Sequence, residues 1–144
     1  MNSDPLVSIV VTFLDAERFL DEAVRSVRAQ TYAHWELLLV DDGSSDSSSA
    51  IARTYAETDP ARIRYLEHPG HRNLGTSAAR DLGLRRARGQ YLALLDADDV
   101  WLPEKLERQV AILEAHPQSA LLFGAPLYWF GWTGEREDEE RDYV

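Results

Sequence analysis

The chain of 144 residues contains no cysteine, and its basic residues are outnumbered by acidic ones. Without cysteine it can form neither disulfide bonds nor thiolate metal sites, which fits a reducing compartment. Its 15 Lys and Arg face 25 Asp and Glu, which gives a formal net charge of -10. This balance argues against non-specific binding to nucleic acid or to an anionic membrane surface. It remains compatible with an anionic ligand that binds together with a metal ion.

Long apolar runs are also missing from the sequence. The most hydrophobic stretch, residues 121–132, is about a dozen residues long, and a transmembrane helix needs roughly 20. We interpret this stretch as a buried strand or as a face awaiting a partner. Residues 1–4 lack the basic and apolar regions of a secretion signal. The expected location is therefore the cytoplasm.

Acidic residues concentrate near the carboxyl end of the chain. Residues 135–144 contain six of them, and such a run stays solvated more readily than it packs. The remaining length is typical of a single globular domain. We therefore expect one domain over residues 1–134, followed by an acidic tail or a truncated continuation over residues 135–144.

Four short apolar runs alternate with segments of helical periodicity. Runs that are apolar on both faces are typical of central strands in a parallel sheet. The predicted strands are residues 7–13, 36–40, 63–67 and 91–95. The predicted helices lie near residues 19–27, 50–59, 76–87 and 102–113, with Asp15 capping the first and Pro103 in the first turn of the last. This alternation predicts an α/β fold with right-handed crossovers.

Aspartates follow two of the predicted strands at the points where these strands end. Asp41 and Asp42 follow the second strand, and Asp96, Asp98 and Asp99 follow the fourth. Ligands of open α/β sheets bind outside the carboxyl ends of the strands. Each cluster alone could be helix capping, but two clusters favour a ligand site. An Asp-x-Asp pair can direct its oxygens at one hard cation, Mg²⁺ or Mn²⁺, which then also binds phosphate oxygens.

Several motifs, in their order along the chain, resemble those of the family 2 glycosyltransferases with the GT-A fold. They are the Gln30-Thr31-Tyr32 turn, the VDDGSSD loop of residues 40–46, the Ala79-Arg80 pair, the Arg88-Gly89 turn, and LDADD of residues 95–99 followed by Pro103. The resemblance covers residues 6–113. It implies a GT-A (Rossmann-like) α/β/α sandwich with a largely parallel central sheet, truncated before the acceptor-binding half.

The resemblance also implies a nucleotide site on this scaffold. The nucleotide-binding residues it implies are Thr12, Leu14, Asp15, Asp42, Arg80 and Asp96. Among these, Asp42 would hydrogen-bond the base, most commonly uracil, and Asp96 would contact the ribose. Asp98 would ligate the Mg²⁺ or Mn²⁺ that bridges the two phosphates. Residues 12–15 read Thr-Phe-Leu-Asp where the family commonly has Pro-Thr-Tyr-Asn, so the preference for base and sugar does not carry over.

The implied reaction moves a sugar from a nucleoside-diphosphate-sugar, expected to be UDP-linked, to an acceptor hydroxyl. It would be metal-assisted and would invert the anomeric carbon. The acceptor is an unknown sugar, glycan or lipid-linked molecule, and a membrane-associated partner is compatible with the family. The catalytic base is expected beyond Val144, so the chain alone would bind nucleotide but transfer little sugar.

The sequence is also compared with other classes of α/β protein and of binding module. A non-catalytic nucleotide-sugar-binding or interaction module on the same scaffold stays open. The glycine-rich signatures of dehydrogenases and of P-loop enzymes are absent. A phosphoacceptor receiver domain needs a lysine on a late strand, whereas the only lysine, Lys105, lies on a predicted helix. His68 and His71 are interpreted as residues of a flexible turn rather than as metal ligands, because Pro69 and Gly70 separate them.

Overall fold

The computed structural model describes residues 4–124, in which four strands alternate with four helices. The strands are β1 (Val7–Phe13), β2 (Trp35–Asp41), β3 (Ile63–Glu67) and β4 (Tyr91–Asp96). The helices are α1 (Leu20–Arg28), α2 (Ser48–Thr58), α3 (Thr76–Arg86) and α4 (Lys105–Ala115). The strands pair in parallel, in the order β3-β2-β1-β4. The predicted α/β class and parallel sheet are confirmed.

The two central strands carry the core on both of their faces. Every residue of β1 and of β2 is buried, as expected for strands that are apolar on both sides. On one face of the sheet, Val10 and Leu38 pack against Ala79 of α3. On the other face, Ile9 and Leu37 belong to a larger cluster that includes residues of α1, α2 and α4. Helices therefore cover both faces of the sheet, as in an α/β/α sandwich.

Gly83 allows α3 to approach the sheet closely. A Cβ atom at this position would lie 2.5 Å from Cγ1 of Val10 and 3.1 Å from Cγ2 of Val40. Both neighbours are β-branched and have few alternative rotamers. Glycine at this helical position is therefore required by packing, even though alanine has the higher helix propensity.

We expect the Gly83→Ala substitution to lower the free energy of unfolding by about 1–3 kcal/mol. The strain of overpacking of that size outweighs the gain in helix propensity of about 1 kcal/mol. Chemical denaturation monitored by circular dichroism measures the change. Ser77→Ala, on an exposed position of the same helix, is the control and should leave stability unchanged or slightly raised. Equal stability of Gly83→Ala and the unmodified chain would contradict the close approach.

The start of α4 differs from the prediction. The helix begins at Lys105, so Leu102 and Pro103 precede it, and Leu102 is exposed rather than part of the apolar stripe. The physical reason is that both carbonyl groups bond to the segment after α1. The Gln30 side chain donates to the Leu102 carbonyl at 2.8 Å, and the Thr31 N–H donates to the Pro103 carbonyl at 2.9 Å.

Gln30 also helps to begin α4. Its side-chain oxygen accepts a hydrogen bond from the N–H of Leu106 at 3.0 Å, and this N–H lies in the first turn, where no intrahelical partner exists. Gln30 is buried, so these bonds are shielded from water. The Gln30-Thr31-Tyr32 turn of the sequence therefore joins the end of α1 to the beginning of α4.

The chain divides into two compact units, Met1–Val110 and Ala111–Val144. In the second unit α4 ends at Ala115, and His116 follows with its N–H bonded to the carbonyl of Leu113 at 3.1 Å. The predicted end of this helix is confirmed. Within residues 4–124, no helix is both long and apolar enough to span a bilayer. The acidic tail and most of the apolar stretch of residues 121–132 lie outside the described residues, as does the predicted domain boundary at residue 134.

Candidate functional site

A cleft of about 470 Å³ opens at the carboxyl edge of the parallel sheet. Because the strands run parallel, their carboxyl ends and the loops after them converge at this edge. Every residue that the sequence analysis assigned to the nucleotide or the metal lines the cleft, namely Thr12, Leu14, Asp15, Asp42, Arg80, Asp96 and Asp98. Phe13, Ala16, Phe19, Thr76 and Ala97 complete the lining. The fold thus brings together residues that are up to 86 positions apart.

The positively charged side chain of Arg80 faces the carboxylates of the cleft. The Arg80 Nη2 atom lies 2.6 Å from Oδ1 of Asp96, and both side chains are partly accessible to water, at 39% and 55% exposure. An ion pair this exposed contributes little to stability, about 0–1 kcal/mol. Its guanidinium remains able to contact a bound anion through its other N–H groups.

The turn after β4 concentrates negative charge. Asp96 and Asp98 line the cleft, and Asp99 closes the turn by donating its N–H to the Asp96 carbonyl at 3.0 Å. Partial burial, followed by the charges of Asp98 and Asp96, raises the pKa of the Asp99 carboxyl. The three carboxylates therefore repel one another, and a bound cation would relieve this repulsion.

The two aspartates after β2 have different environments. Asp41 is fully buried. Its carboxylate accepts hydrogen bonds from the Ser44 N–H at 2.8 Å, from the Tyr65 hydroxyl at 2.9 Å, and from the Ser49 hydroxyl. Burial alone would raise the pKa of Asp41, but these hydrogen bonds outweigh it and the pKa is lowered. Asp41 is thus a structural support of the loop, and it does not line the cleft.

Asp42, in contrast, lines the cleft although it is almost completely buried. Its Oδ1 atom accepts hydrogen bonds from the N–H groups of Leu74 and Gly75, at 2.8 and 3.2 Å. These two bonds fix the carboxylate from the side of the 68–75 loop. A carboxylate fixed in this way presents an acceptor of defined direction to a ligand in the cleft.

Asp15 connects the loop after β1 to the loop after β2. Its Oδ1 atom accepts bonds from the Ser45 N–H at 2.7 Å, the Ser45 hydroxyl at 3.1 Å and the Asp46 N–H at 3.3 Å. In return, the Asp15 N–H donates to the Ser44 hydroxyl at 3.1 Å, and the Ala16 N–H to the Ser48 hydroxyl at 2.8 Å. The two loops therefore form one rim of the cleft.

The prediction that Asp15 caps the first helix is wrong. Helix α1 begins at Leu20, its N-cap position is Phe19, and no side chain caps it. The physical reason is that Asp15 adopts a left-handed backbone conformation, with φ of 49°, and its carboxylate is already bonded to the second loop. An aspartate shortly before a helix can either cap the helix or bridge two loops. The sequence pattern is the same in both cases, so it could not separate the two roles.

The donor set of the cleft fits a divalent cation bound together with phosphate. Within residues 4–124, no three His, Cys, Asp or Glu side chains cluster so as to hold a metal ion by themselves. Mg²⁺ usually binds through one or two carboxylates, with phosphate oxygens and water in its remaining positions. Asp98, exposed in the turn after β4, offers such a carboxylate. The cleft therefore fits a divalent cation whose remaining positions are filled by phosphate oxygens and water.

The sequence did not indicate a group of polar residues next to Asp41. The Tyr65 hydroxyl oxygen lies 2.7 Å from Oε2 of Glu67 and 2.9 Å from Oδ2 of Asp41, so its single proton is shared between these two carboxylates. The Nδ1 atom of His71 lies 2.7 Å from the same Glu67 oxygen. Burial and the hydrogen bond to Glu67 raise the pKa of the Tyr65 hydroxyl, which therefore stays protonated. Tyr65 and Glu67 alternate with Arg64 and Leu66 on a short strand, and nothing in that pattern distinguishes them from ordinary surface residues.

A second groove, of about 450 Å³, lies between α1 and α2. Within it, the Tyr55 hydroxyl donates to the Asp21 carboxylate at 2.6 Å. It does not lie at the carboxyl edge of the sheet and contains none of the strand-end aspartates. The cleft with Asp42, Asp96 and Asp98 is therefore the candidate site.

Comparison with known proteins identifies the family of the chain. The model of the family described as "Glycosyl transferase family 2" matches residues 8–139. The chain belongs to this family. Its sequence is 43% identical over 140 residues to the uncharacterised glycosyltransferase EpsJ of Bacillus subtilis (strain 168), a match that covers 97% of this chain and 37% of EpsJ.

A further relative has a named reaction. UDP-Glc:alpha-D-GlcNAc-diphosphoundecaprenol beta-1,3-glucosyltransferase WfgD of Escherichia coli is 37% identical over 110 residues, covering 76% of this chain and 42% of WfgD. The family 2 chain described here thus spans less than half the length of EpsJ and WfgD.

Solved structures confirm the GT-A fold. The mannosyltransferase PcManGT from Pyrobaculum calidifontis, in complex with GDP-Man and Mn²⁺, matches with a TM-score of 0.70 and 26% identity, over 78% of this chain and 33% of PcManGT. S. aureus TarS 1-349 in complex with UDP matches with a TM-score of 0.70 and 22% identity, over 86% of this chain and 39% of TarS. The expected α/β/α architecture is therefore shown by sequence family and by structure.

Proposed function

We propose that this chain forms the donor-binding part of a glycosyltransferase that moves a sugar from a nucleoside diphosphate to an acceptor hydroxyl. The observation that carries the proposal is the convergence of Asp42, Arg80, Asp96 and Asp98 in one cleft at the carboxyl edge of the sheet. Relatives and structural neighbours bind or use such donors, including UDP-Glc in the name of WfgD and GDP-Man in the complex of PcManGT.

Each side chain has a role that its surroundings favour. Asp42, held by two backbone N–H groups, accepts a hydrogen bond from the base. Asp96 faces the ribose, and Arg80 orients the diphosphate while remaining paired with Asp96. Thr12, Leu14 and Asp15 form the wall beside the nucleoside.

The metal in this proposal is Mg²⁺ or Mn²⁺, and Asp98 is the residue that would hold it. When bound, such a cation stabilises the negative charge that develops on the departing diphosphate. The support for metal use is the donor set of the turn after β4 and the Mn²⁺ in the complex of PcManGT. Burial, followed by the charges of Asp98 and Asp96, raises the pKa of Asp99, and a turn with this concentration of negative charge favours a positively charged ligand.

The reaction needs a base that accepts the proton of the acceptor hydroxyl. The carboxylates that line the described cleft are already committed. Asp15 and Asp42 accept backbone N–H bonds, Asp96 pairs with Arg80, and Asp98 is the proposed metal ligand. We therefore propose that the base is none of these four carboxylates and lies outside the described cleft, and that displacement proceeds with inversion.

The acceptor is proposed to be a growing glycan or a lipid-linked sugar, in polysaccharide biosynthesis. WfgD, whose name includes a diphosphoundecaprenol acceptor, supports this class. A location in the cytoplasm, at the inner face of the membrane, would match an acceptor of that kind and stays a prediction.

Calorimetric titration of the purified chain with UDP, GDP and thymidine diphosphate, each with and without Mn²⁺, tests the proposed function. We expect saturable binding of at least one diphosphate, strengthened by the metal, and we expect UDP to bind most tightly. Silence of all three diphosphates in a folded chain would contradict donor binding. Binding without transfer by the full-length protein would favour a non-catalytic module on the same scaffold.

A further inference from the structure

His71 bridges two acceptors from different parts of the chain. Its Nδ1 atom lies 2.7 Å from Oε2 of Glu67, and its Nε2 atom lies 2.8 Å from the carbonyl oxygen of Ser44. Neither a carboxylate nor a carbonyl can donate a hydrogen bond. A neutral imidazole carries only one N–H, so only the doubly protonated ring can donate to both partners. The geometry therefore selects the imidazolium form of His71.

The segment that contains His71 holds Asp42 in place. His71 has a left-handed backbone conformation, with φ of 53°. This conformation turns the chain back over the loop that follows β2. A Cβ atom at Gly43 would lie 2.7 Å from the Asn73 nitrogen and 3.1 Å from the His71 carbonyl oxygen. The 68–75 loop thus rests directly on Gly43. From there, the N–H groups of Leu74 and Gly75 reach the Asp42 carboxylate.

The charges around His71 come from three packed elements. Glu67 of β3 contacts the ring, and Asp41 of β2 contributes a further negative charge. Arg53 of α2 opposes them, since its Nη2 atom lies 3.3 Å from the Glu67 carboxylate. The net charge of these three groups is therefore negative. The hydrogen bond to the Ser44 carbonyl, followed by the bond to Glu67, raises the pKa of His71 above its usual 6.5.

We propose that His71 is a positioning residue of the nucleotide site, which in its doubly protonated form holds the 68–75 loop against Gly43 and so fixes Asp42. This inference rests on the proposed donor-binding function. Because the protonated form is the one the fold selects, its contribution is complete at pH values below 6.5. It is lost as the pH rises through the raised pKa of the folded state.

The affinity for UDP with Mg²⁺ should therefore fall with rising pH. Between about pH 6 and pH 8.5 we expect a decrease of about three- to tenfold, the range expected for weakening one charge-assisted hydrogen bond that acts indirectly. In His71→Asn, the affinity should be low and should lack this pH dependence. Asparagine tolerates the left-handed backbone, but its side chain is too short to bridge both acceptors. His116→Asn, which replaces an exposed histidine at the end of α4, is the matched control and should keep the profile of the unmodified chain.

A second measurement does not depend on the nucleotide. Proton NMR should show His71 titrating above pH 6.5. The protection factors of the Leu74 and Gly75 amide protons, taken relative to the intrinsic exchange rate at each pH, should fall as His71 loses its proton. In Glu67→Gln the His71 titration should move to lower pH, because the negative partner is gone. The amide readout remains available in any variant that keeps the fold, including His71→Asn.

The outcomes separate the two proposals. Equal pH profiles of affinity in the unmodified chain and in His71→Asn would overturn the positioning role. A His71 ring that titrates below pH 6.5, or loop amides whose protection does not follow it, would overturn it as well. If no diphosphate binds at any pH, the proposed donor function fails and the affinity claim with it. The amide protection then still shows whether protonated His71 holds the loop.

Discussion

Replacing Asp98 by asparagine is expected to lower the metal-dependent affinity for a nucleoside diphosphate by about 30- to 100-fold, a loss of about 2–3 kcal/mol. The substitution keeps the size of the side chain and removes its charge. Asparagine is a weaker ligand for a hard divalent cation than a carboxylate is. Because Asp98 is exposed and lies in a turn, the fold should tolerate the change. The effect should therefore be confined to binding.

Titration with UDP in the presence and absence of Mn²⁺ measures this prediction. In the absence of metal, the unmodified chain and Asp98→Asn should bind equally weakly. The matched control is Asp59→Asn, which makes the same change of charge at the end of α2. There Asp59 pairs with Arg62 at 2.8 Å and does not line the cleft. An Asp98→Asn chain whose gain in affinity from Mn²⁺ equals that of Asp59→Asn would rule out Asp98 as the metal ligand.

Glu36→Ala is expected to cause the largest loss of stability, about 3–5 kcal/mol in the free energy of unfolding. Glu36 lies in β2 and is 2% exposed. One carboxylate oxygen accepts from the Ser8 hydroxyl at 2.6 Å and from the Arg88 N–H at 2.7 Å. The other lies 2.9 Å from Arg64 Nη2 and 2.7 Å from Arg88 Nη2. Removal of the carboxylate leaves these donors without their acceptor.

The pH dependence gives a second test of the same network. Burial by itself would raise the pKa of Glu36, but the bonds from Ser8 and Arg88 and the charge of Arg64 outweigh it. The pKa is therefore below its usual 4.5, so the stabilisation is complete above that pH and is lost as the pH falls through the folded value. The difference between the unmodified chain and Glu36→Ala should accordingly shrink in acid.

Urea denaturation at several pH values measures both effects. Glu57→Ala, at an exposed position of α2, is the control, and its stability should change by less than about 0.5 kcal/mol. If Glu36→Ala unfolded at the same urea concentration as Glu57→Ala, the carboxylate would not be the centre of a buried network. A difference that grows in acid would contradict the direction of the pKa shift.

The sequence predicted the sheet well, because burial leaves a simple pattern in it. β1 and β3 have the predicted bounds, and β2 and β4 extend past them by one or two residues, to include Trp35, Asp41 and Asp96. Strand ends are hard to predict since polar residues such as Asp41 continue the ladder only when neighbouring strands do. Asp41 pairs with Phe13 and with Glu67 in the register of the sheet.

The residues that line the cleft were predicted from the sequence. The residues that hold the cleft in shape were not. Resemblance to a family indicated which side chains meet at the sheet edge, and the structure brings all of them together. The roles of Asp15, Glu36 and His71 depend on partners about 27 to 52 positions away. Such contacts follow from how the loops fold over one another, and no local pattern encodes them. The bridging of two acceptors by His71 is visible only in three dimensions.

Crystals of the chain grown with UDP and Mn²⁺ would test the central claim most directly. We predict one strong anomalous difference peak for Mn²⁺ within about 2.5 Å of an Asp98 carboxylate oxygen, with the diphosphate beside Arg80 and the uracil between Thr12 and Asp42. Mn²⁺ and nucleotide bound outside this cleft, for instance in the groove between α1 and α2, would contradict the account.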